Sequence, residues 1–285
     1  MSWKLGNRTL DFADRVQIMG ILNVTPDSFF DGGRYQEREA AVQAALQMVE
    51  EGADIIDIGG QSSRPPMYGE GIDVPLQEEC ERVVPVVEQL RQHSDIPISI
   101  DTTKAEVARQ SLQAGANIIN DISALRDDPR MLEVVVASNA PVVLMHRRGT
   151  RATMQQNTSY QDLLGELKSF LAERIEVARA GGVASGRIAV DPGIGFGKSV
   201  SGNFEIIRHL DVFSELGCPV LVGASRKSFI WKSLGLSPAE TLEGSLAVAV
   251  LSVVGKAQIL RVHDVRETVR AVRLAEAIMR RGRIS

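Results

Sequence analysis

Cysteine is scarce. Cys80 and Cys218 are the two thiols in 285 residues, and they lie far apart without the spacing of metal ligands. That argues against a disulfide framework or a cysteine-built metal centre, and it predicts reduced thiols in a reducing compartment. Long hydrophobic runs are missing too. The most apolar stretch, 246–254, falls far short of the roughly 20 residues that span a bilayer, so no membrane association is expected. The leading segment MSWKLGNRTLDFADR has no apolar core behind a basic start, so no signal peptide is expected and the cytoplasm is the predicted location. There is no basic excess either: 32 Lys and Arg stand against 36 Asp and Glu, for a net charge of −4. This balance argues against nucleic-acid binding, although a local cationic pocket is compatible with it.

One stretch that is present invites a wrong reading. DPGIGFGKS, residues 191–199, ends in Gly-Lys-Ser like a phosphate-cradling P-loop. A P-loop needs a glycine five residues before Gly197, and Pro192 stands there without an N–H. The third glycine of the dinucleotide fingerprint is missing as well. The stretch must be explained by its surroundings.

Eight short aliphatic runs recur along the chain: 16–22, 54–58, 98–100, 118–119, 142–145, 188–190, 220–222 and 259–262. Uninterrupted runs of this kind suit parallel strands buried on both faces. Between them the apolar spacing is helical. Leu76, Cys80, Val83, Val84, Val87 and Leu90 predict one buried helix face, and Val265, Val269, Val272 and Ala275 another. The segment 160–180 predicts a helix stopping at Gly181-Gly182. GADIIDIGG from Gly52 echoes GANIINDIS from Gly115, a separation that suits two strand–helix units. The expected fold is α/β, a single-domain (β/α)8 TIM barrel over residues 16–285. A short N-terminal extension, residues 1–15, is expected to close the barrel bottom. An open doubly wound sheet is the alternative.

Polar residues follow every run: Asn23, Gly59-Gly60, Asp101, Asn120 with Asp121, His146, Asp191, Ser225-Arg226-Lys227, and Arg261 with His263. In a barrel these ends converge on the face that carries active sites. Any one of them is explained by a helix cap, and Asp101 and Asp191 taken alone leave that open. A ring of them points to a site. Arg261 and His263, two apart on a strand, share a face.

Eight ordered motifs now identify a resemblance covering nearly the whole chain: GILNVTPDSFFDGG (20–33), DIGGQSSRP (57–65), ISIDTTK (98–104), IINDIS (118–123), LMHRRGTRATMQ (144–155), DPGIGFGK (191–198), VGASRKSFI (222–230) and RVHDV (261–265). The sequence resembles the dihydropteroate synthases of the pterin-binding barrel family. That resemblance implies a transferase forming a C–N bond. It would join 4-aminobenzoate to 6-hydroxymethyl-7,8-dihydropterin diphosphate, releasing diphosphate and giving 7,8-dihydropteroate for folate biosynthesis. A pterin ring presents an amino group and a ring N–H side by side, which a carboxylate matches with two parallel hydrogen bonds. Family position gives that task to Asp191, with Asp101, Asn120 and Lys227 on other ring atoms. It implies Asn23, Ser63, Arg64, Arg261 and His263 for diphosphate, and Phe29, Ser63, Arg64, Pro65, Phe196, Ser225 and Lys227 for 4-aminobenzoate. Gly193, Gly195 and Gly197 would let backbone pass close to a flat ligand.

Catalysis is expected to rest on Asn23, Lys227, Arg261 and His263. Asn23 resembles the family's Mg2+ ligand, with a turn-stabilising side chain before Thr25-Pro26 as the lesser alternative. Segments 23–34 and 61–75 are expected to be mobile and to order around diphosphate. Lys198 is expected not to touch phosphate. A homodimer is implied by resemblance, while the apolar 246–254 segment alone fits a core-filling helix as well as an interface. Three positions depart from the family pattern: Gln61 where Glu is common, Ser63 where Thr is common, and Arg147 where Met commonly packs. Arg147 should either point to solvent or alter the rim. A methyltetrahydrofolate:corrinoid methyltransferase would share the barrel, but it should lack the Ser225-Arg226-Lys227 and Arg261/His263 residues.

Overall fold

The computed structural model describes residues 1–25, 33–61, 73–150, 153–154 and 156–279. The aliphatic runs form parallel strands: β3 (Gln17–Asn23), β4 (Ile55–Gly59), β5 (Ile98–Asp101), β6 (Ile118–Asp121), β7 (Val142–Met145), β8 (Ile188–Asp191), β9 (Leu221–Val222) and β10 (Ile259–Val262). They are ordered β8-β7-β6-β5-β4-β3-β10-β9, and a parallel bridge between Val190 and Val220 joins the two ends. The result is an eight-stranded barrel. Every strand leads into a helical stretch: α1 (Gly33–Glu50), α2 (Leu76–His93), α3 (Ala105–Gln113), α4 (Met131–Ser138), α5 (Leu163–Ala180), α6 (Val200–Arg208), the pair α7 (Ser228–Leu234) and α8 (Leu242–Val254), and α9 (Val265–Met279).

Alternation along each strand sorts its side chains. Ile18, Leu22, Ile56, Ile58, Ile98, Ile100, Ile119, Leu144, Val190, Val222 and Leu260 join the main core with the helices. Met19, Ile55, Ile118, Val143, Ala189, Leu221 and Ile259 instead form a separate cluster inside the barrel. Trp3, Leu5 and Leu10 belong to that same cluster. They come from an antiparallel hairpin, β1 (Ser2–Leu5) and β2 (Arg8–Asp11), which turns at Gly6 with φ of 56°. Trp3 is fully buried, and its indole N–H donates to Gly186 O at 2.9 Å. The interior is thus apolar and plugged at one end. Two residues further along the strands, the inward positions become polar: Asp57 after Ile55, Asn120 after Ile118, Asp191 after Ala189 and Arg261 after Ile259.

Some expectations change. Leu76 is 41% exposed, while Glu79 and Val86 join Cys80, Val83, Val87 and Leu90 on the buried face of α2. α5 starts at Leu163 because the Asp162 side chain accepts the Gly165 N–H and caps the helix there. β6 runs on through Asn120 and Asp121, two residues beyond the aliphatic run. The echoed Gly52 and Gly115 both end helices, with φ of 101° and 111°, where other residues are strained.

Candidate active site

The polar inward layer is built around one arginine. Arg261 donates from Nε to Asp57 Oδ2 at 2.6 Å and from Nη2 to Asp101 Oδ2 at 2.8 Å. Asn120 Nδ2 donates to the same Asp57 oxygen at 3.1 Å. Burial works against the guanidinium charge, but Asp57 and Asp101 outweigh it and hold the proton more firmly than usual. Gly223 faces this arginine across the sheet, and a Cβ there would sit 3.6 Å from the Arg261 side chain. Asp57 was passed over in the sequence because it lies inside the run IIDIG. The signal that could have found it is period two: it follows the inward Ile55, as Asp191 follows Ala189.

Asp191 is different. It is 5% exposed, and among the described residues it makes no ion pair. Its Oδ1 accepts the Gly193 N–H at 2.7 Å. Burial pushes its pKa up, and Lys227, the Gly193 bond, Lys198 and Arg261 pull it back. Lys227 is half-buried, donates to Ile194 O, and places its ammonium 4.2 Å from the centre of the Phe196 ring. Burial lowers its pKa to about 7 despite the attraction of Asp191. Phe196 clusters with Ile122, Met145 and Met154, an apolar patch separate from the core. Ile122, Met145 and Met154 were not anticipated as neighbours of the site.

Ser225, Arg226 and Lys227 leave β9 through a strained turn. Arg226 has φ of 58°, donates its N–H to Ser245 Oγ on α8 at 3.0 Å, and pairs with Asp264 at 2.5 Å. That turn brings Ser225 Oγ to 3.1 Å from His263 Nδ1. Asn23 ends β3 in register with Gly59. Asn23, Asp101, Asn120, Asp191, Phe196, Ser225, Lys227, Arg261 and His263 are therefore set at the same end of the barrel, with Arg261–Asp101, Lys227–Phe196 and Ser225–His263 in direct contact. Phe29, Ser63, Arg64 and Pro65 lie outside the described residues, as do most of the 23–34 and 61–75 segments.

Two residues of the polar ring face away from the interior. Asp121 spends both oxygens locally, on Ser123 N and Oγ at 2.7 Å and on Leu125 N at 2.8 Å. His146 is buried behind the 191–198 loop, its ring edge-on to Phe170 at 4.9 Å. Arg147 does not reach solvent: its side chain is 2% exposed and doubly bonded to Asp127 at 2.8 and 2.9 Å, tying the β6 and β7 exits together. Gln61 accepts from Lys104 at 3.1 Å and donates to Asp73 at 3.1 Å, a pairing that uses both ends of an amide and that a glutamate could not make.

The 191–199 stretch is a strand-to-helix turn. Gly193, Gly195 and Gly197 have φ of 71°, 80° and 68°. A Cβ on Gly193 would overlap His146 O, and one on Gly197 would come within 2.9 Å of Met154 O. Gly193 and Gly197 are thus required by close approach to protein backbone, while Gly195 faces the Lys227 side chain, 3.0 Å from where its Cβ would stand. Ser199 then caps α6, accepting the Gly202 N–H at 3.0 Å.

Comparison with known proteins agrees with this geometry. Residues 19–263 match the family described as pterin binding enzyme. A dihydropteroate synthase of Synechocystis sp. is 47% identical over 97% of this chain and 94% of its own length. The dihydropteroate synthase of Yersinia pestis, solved with a sulfonamide drug complex, superposes with a TM-score of 0.91 at 43% identity, covering 98% of this chain and 100% of that one. That of Xanthomonas albilineans, solved with 4-aminobenzoic acid, gives 0.90 at 44% identity, covering 98% of each chain. With a barrel of the same shape and matching residues from β3 to the end of β10, the chain belongs to the pterin-binding enzyme family, among its dihydropteroate synthases.

Proposed function

We infer that this chain joins 4-aminobenzoate to 6-hydroxymethyl-7,8-dihydropterin diphosphate in folate biosynthesis. The observation that carries the residue roles is Asp191. A buried carboxylate without an ion pair is costly unless something brings it hydrogen-bond donors. The amino and ring N–H groups of a pterin are such donors, and their spacing matches two carboxylate oxygens. Asn120 and the Arg261–Asp101 pair meet other ring nitrogens, and Lys227 donates to the ring carbonyl. The Ile122, Met145 and Phe196 patch supplies an apolar wall for a flat ring.

The chemistry is a substitution at the methylene carbon. The C–O bond breaks with its electron pair leaving on diphosphate, and the pterin ring spreads the positive charge left on carbon. The neutral arylamine nitrogen forms the new C–N bond and then loses a proton to solvent. No strong base is required, so the protein's work is positioning and electrostatic. His263, steadied by Ser225, faces the departing group together with Arg261. Family position assigns Ser63 and Arg64 to diphosphate and Phe29, Pro65 and Phe196 to the 4-aminobenzoate ring.

A metal fits one donor here. Among the described residues no group of three or more His, Cys, Asp or Glu side chains could hold an ion. Asp57 and Asp101 each give an oxygen to Arg261, and among the described residues the Asn23 amide oxygen is the donor we assign to the ion. A lone neutral oxygen suits Mg2+ only where substrate phosphates and waters complete the shell. When bound, the ion would offset charge on the diphosphate. Association as a homodimer through the outer face of α8, and a cytoplasmic location, complete the reading.

Purified protein supplied with pterin diphosphate and labelled 4-aminobenzoate should form labelled dihydropteroate. Asp191→Asn should lower kcat/KM for the pterin substrate by about 10- to 100-fold, the worth of one or two charged hydrogen bonds. Wild-type binding without product, or an Asp191→Asn enzyme with unchanged kcat/KM, would count against the assignment.

A further inference from the structure

Lys198 has no part in the reaction as described, yet it sits at the centre of the loop that carries Asp191 and Phe196. It is 5% exposed. Its Nζ lies 2.8 Å from Gly193 O, 2.9 Å from Phe196 O and 3.0 Å from His146 Nδ1. An ammonium has three N–H donors, and here three acceptors lie within 3.0 Å, with His146 O further off at 3.5 Å. His146 can accept because it is neutral: burial and the neighbouring Lys198 lower its pKa to about 2. Its proton then resides on Nε2, as the hydrogen-bond network assigns it.

The two carbonyls are not arbitrary. Gly193 holds Asp191 Oδ1 through its N–H at 2.7 Å, and Phe196 carries the ring under the Lys227 ammonium at 4.2 Å. The left-handed φ values of Gly193, Gly195 and Gly197 wind the backbone so that the carbonyls of Gly193 and Phe196 meet at one point. The centre of that winding is the Lys198 amino group: burial lowers its pKa well below the usual lysine range, Asp191 pulls it back, and the close acceptors favour the protonated form.

We propose that Lys198, with His146 as its third close acceptor, is a positioning residue around which residues 191–198 are wound, fixing the Asp191 carboxylate for the pterin substrate. This rests on the reading of Asp191 as the pterin-recognising group. A merely structural lysine would lower stability and affect both substrates alike. A positioning lysine acts on one substrate.

Steady-state kinetics on the full chain separates the two. Lys198→Met keeps the length and removes the charge; KM for pterin diphosphate should rise about tenfold or more, while KM for 4-aminobenzoate stays within about twofold. Lys198→Ala leaves a gap the size of n-propylammonium, and that ion should restore part of the pterin affinity. His146→Asn keeps an acceptor near the Nδ1 position and should hold the pterin KM near wild type, whereas His146→Phe should match Lys198→Met. The His146 pair carries the test alone if the lysine variants do not fold. An unchanged pterin KM in Lys198→Met, an equal rise in both KM values, or His146→Asn no better than His146→Phe would overturn the proposal. A wild-type chain that formed no dihydropteroate would overturn the assigned reaction itself, and this inference with it.

Discussion

At the scale of single residues, the mouth of the barrel holds three buried carboxylates in two electrostatic situations. Asp57 and Asp101 share Arg261, so their charge is spent within the protein. Asp191 faces Lys227 without a direct ion pair, and each distorts the other's titration. This sets a pH dependence. Free-enzyme Lys227, with a pKa lowered to about 7 by burial, is a charged donor below that pH and loses the proton above it. The contact to the pterin carbonyl proposed for Lys227 needs the charged form, so kcat/KM for the pterin substrate should fall as pH rises through about 7. Lys227→Arg cannot deprotonate in that range and should flatten this limb, even if its rate is lower throughout. A wild-type profile flat from pH 6 to 9 would contradict the role given to Lys227.

At the scale of elements, turns decide what the strands can present. The Gly-Lys-Ser ending that resembles a phosphate loop resolves into three tasks: left-handed backbone at Gly197, an internal ammonium at Lys198, and a helix cap at Ser199. Ser199→Ala should therefore lower stability by about 1 kcal/mol in urea denaturation and leave kcat and both KM values intact. A loss of phosphate-substrate affinity without loss of stability would revive the rejected reading. The strands were legible because runs such as IIDIG and PVVLM have no competing pattern, and their ends differ from expectation by one or two residues. Asp57 was missed because a charge inside an aliphatic run reads as strand until the alternation is counted from Ile55. Asp121 and His146 were placed in the ring because position after a strand says nothing about facing. Arg147 was read as a rim departure because its partner Asp127 lies twenty residues away, across the β6–β7 gap. For residues 1–15 the sequence suggests an extension that closes the barrel bottom, and its hairpin form is not legible there. Its strands are four residues each, and Trp3 belongs to a cluster that draws residues from seven of the barrel strands.

At the scale of the whole molecule, α8 shows how one helix serves two surfaces. Its inner face is small and polar: Ser245, Ala249 and Ser252 let it lie close against the barrel, and Ser245 holds the Arg226 turn. Its outer face is apolar and uncovered, with Leu251 53% and Val254 55% exposed, beside Phe204 of α6 at 42%. Together with Ile207, Phe229 and Val248 these residues line a groove of about 590 Å³, edged by Arg208, Asp211 and Lys256. The sequence left open whether this apolar segment fills a core, and in the single chain half of it does not. Isolated exposed leucines need no explanation, but a contiguous apolar groove marks a surface that something covers. The proposed homodimer would cover that face: a two-fold axis would set α8 of one subunit against the same face of the other and double the apolar area removed from water. It also doubles the penalty of an inserted charge. Leu251→Glu should convert a dimer to monomer in sedimentation velocity at micromolar concentration. The active-site residues lie at the strand ends, on the inner side of this helix, so the monomer should keep its pterin KM. A wild-type chain that sediments as a monomer under those conditions would remove the dimer, and a variant that stays dimeric would move the interface elsewhere.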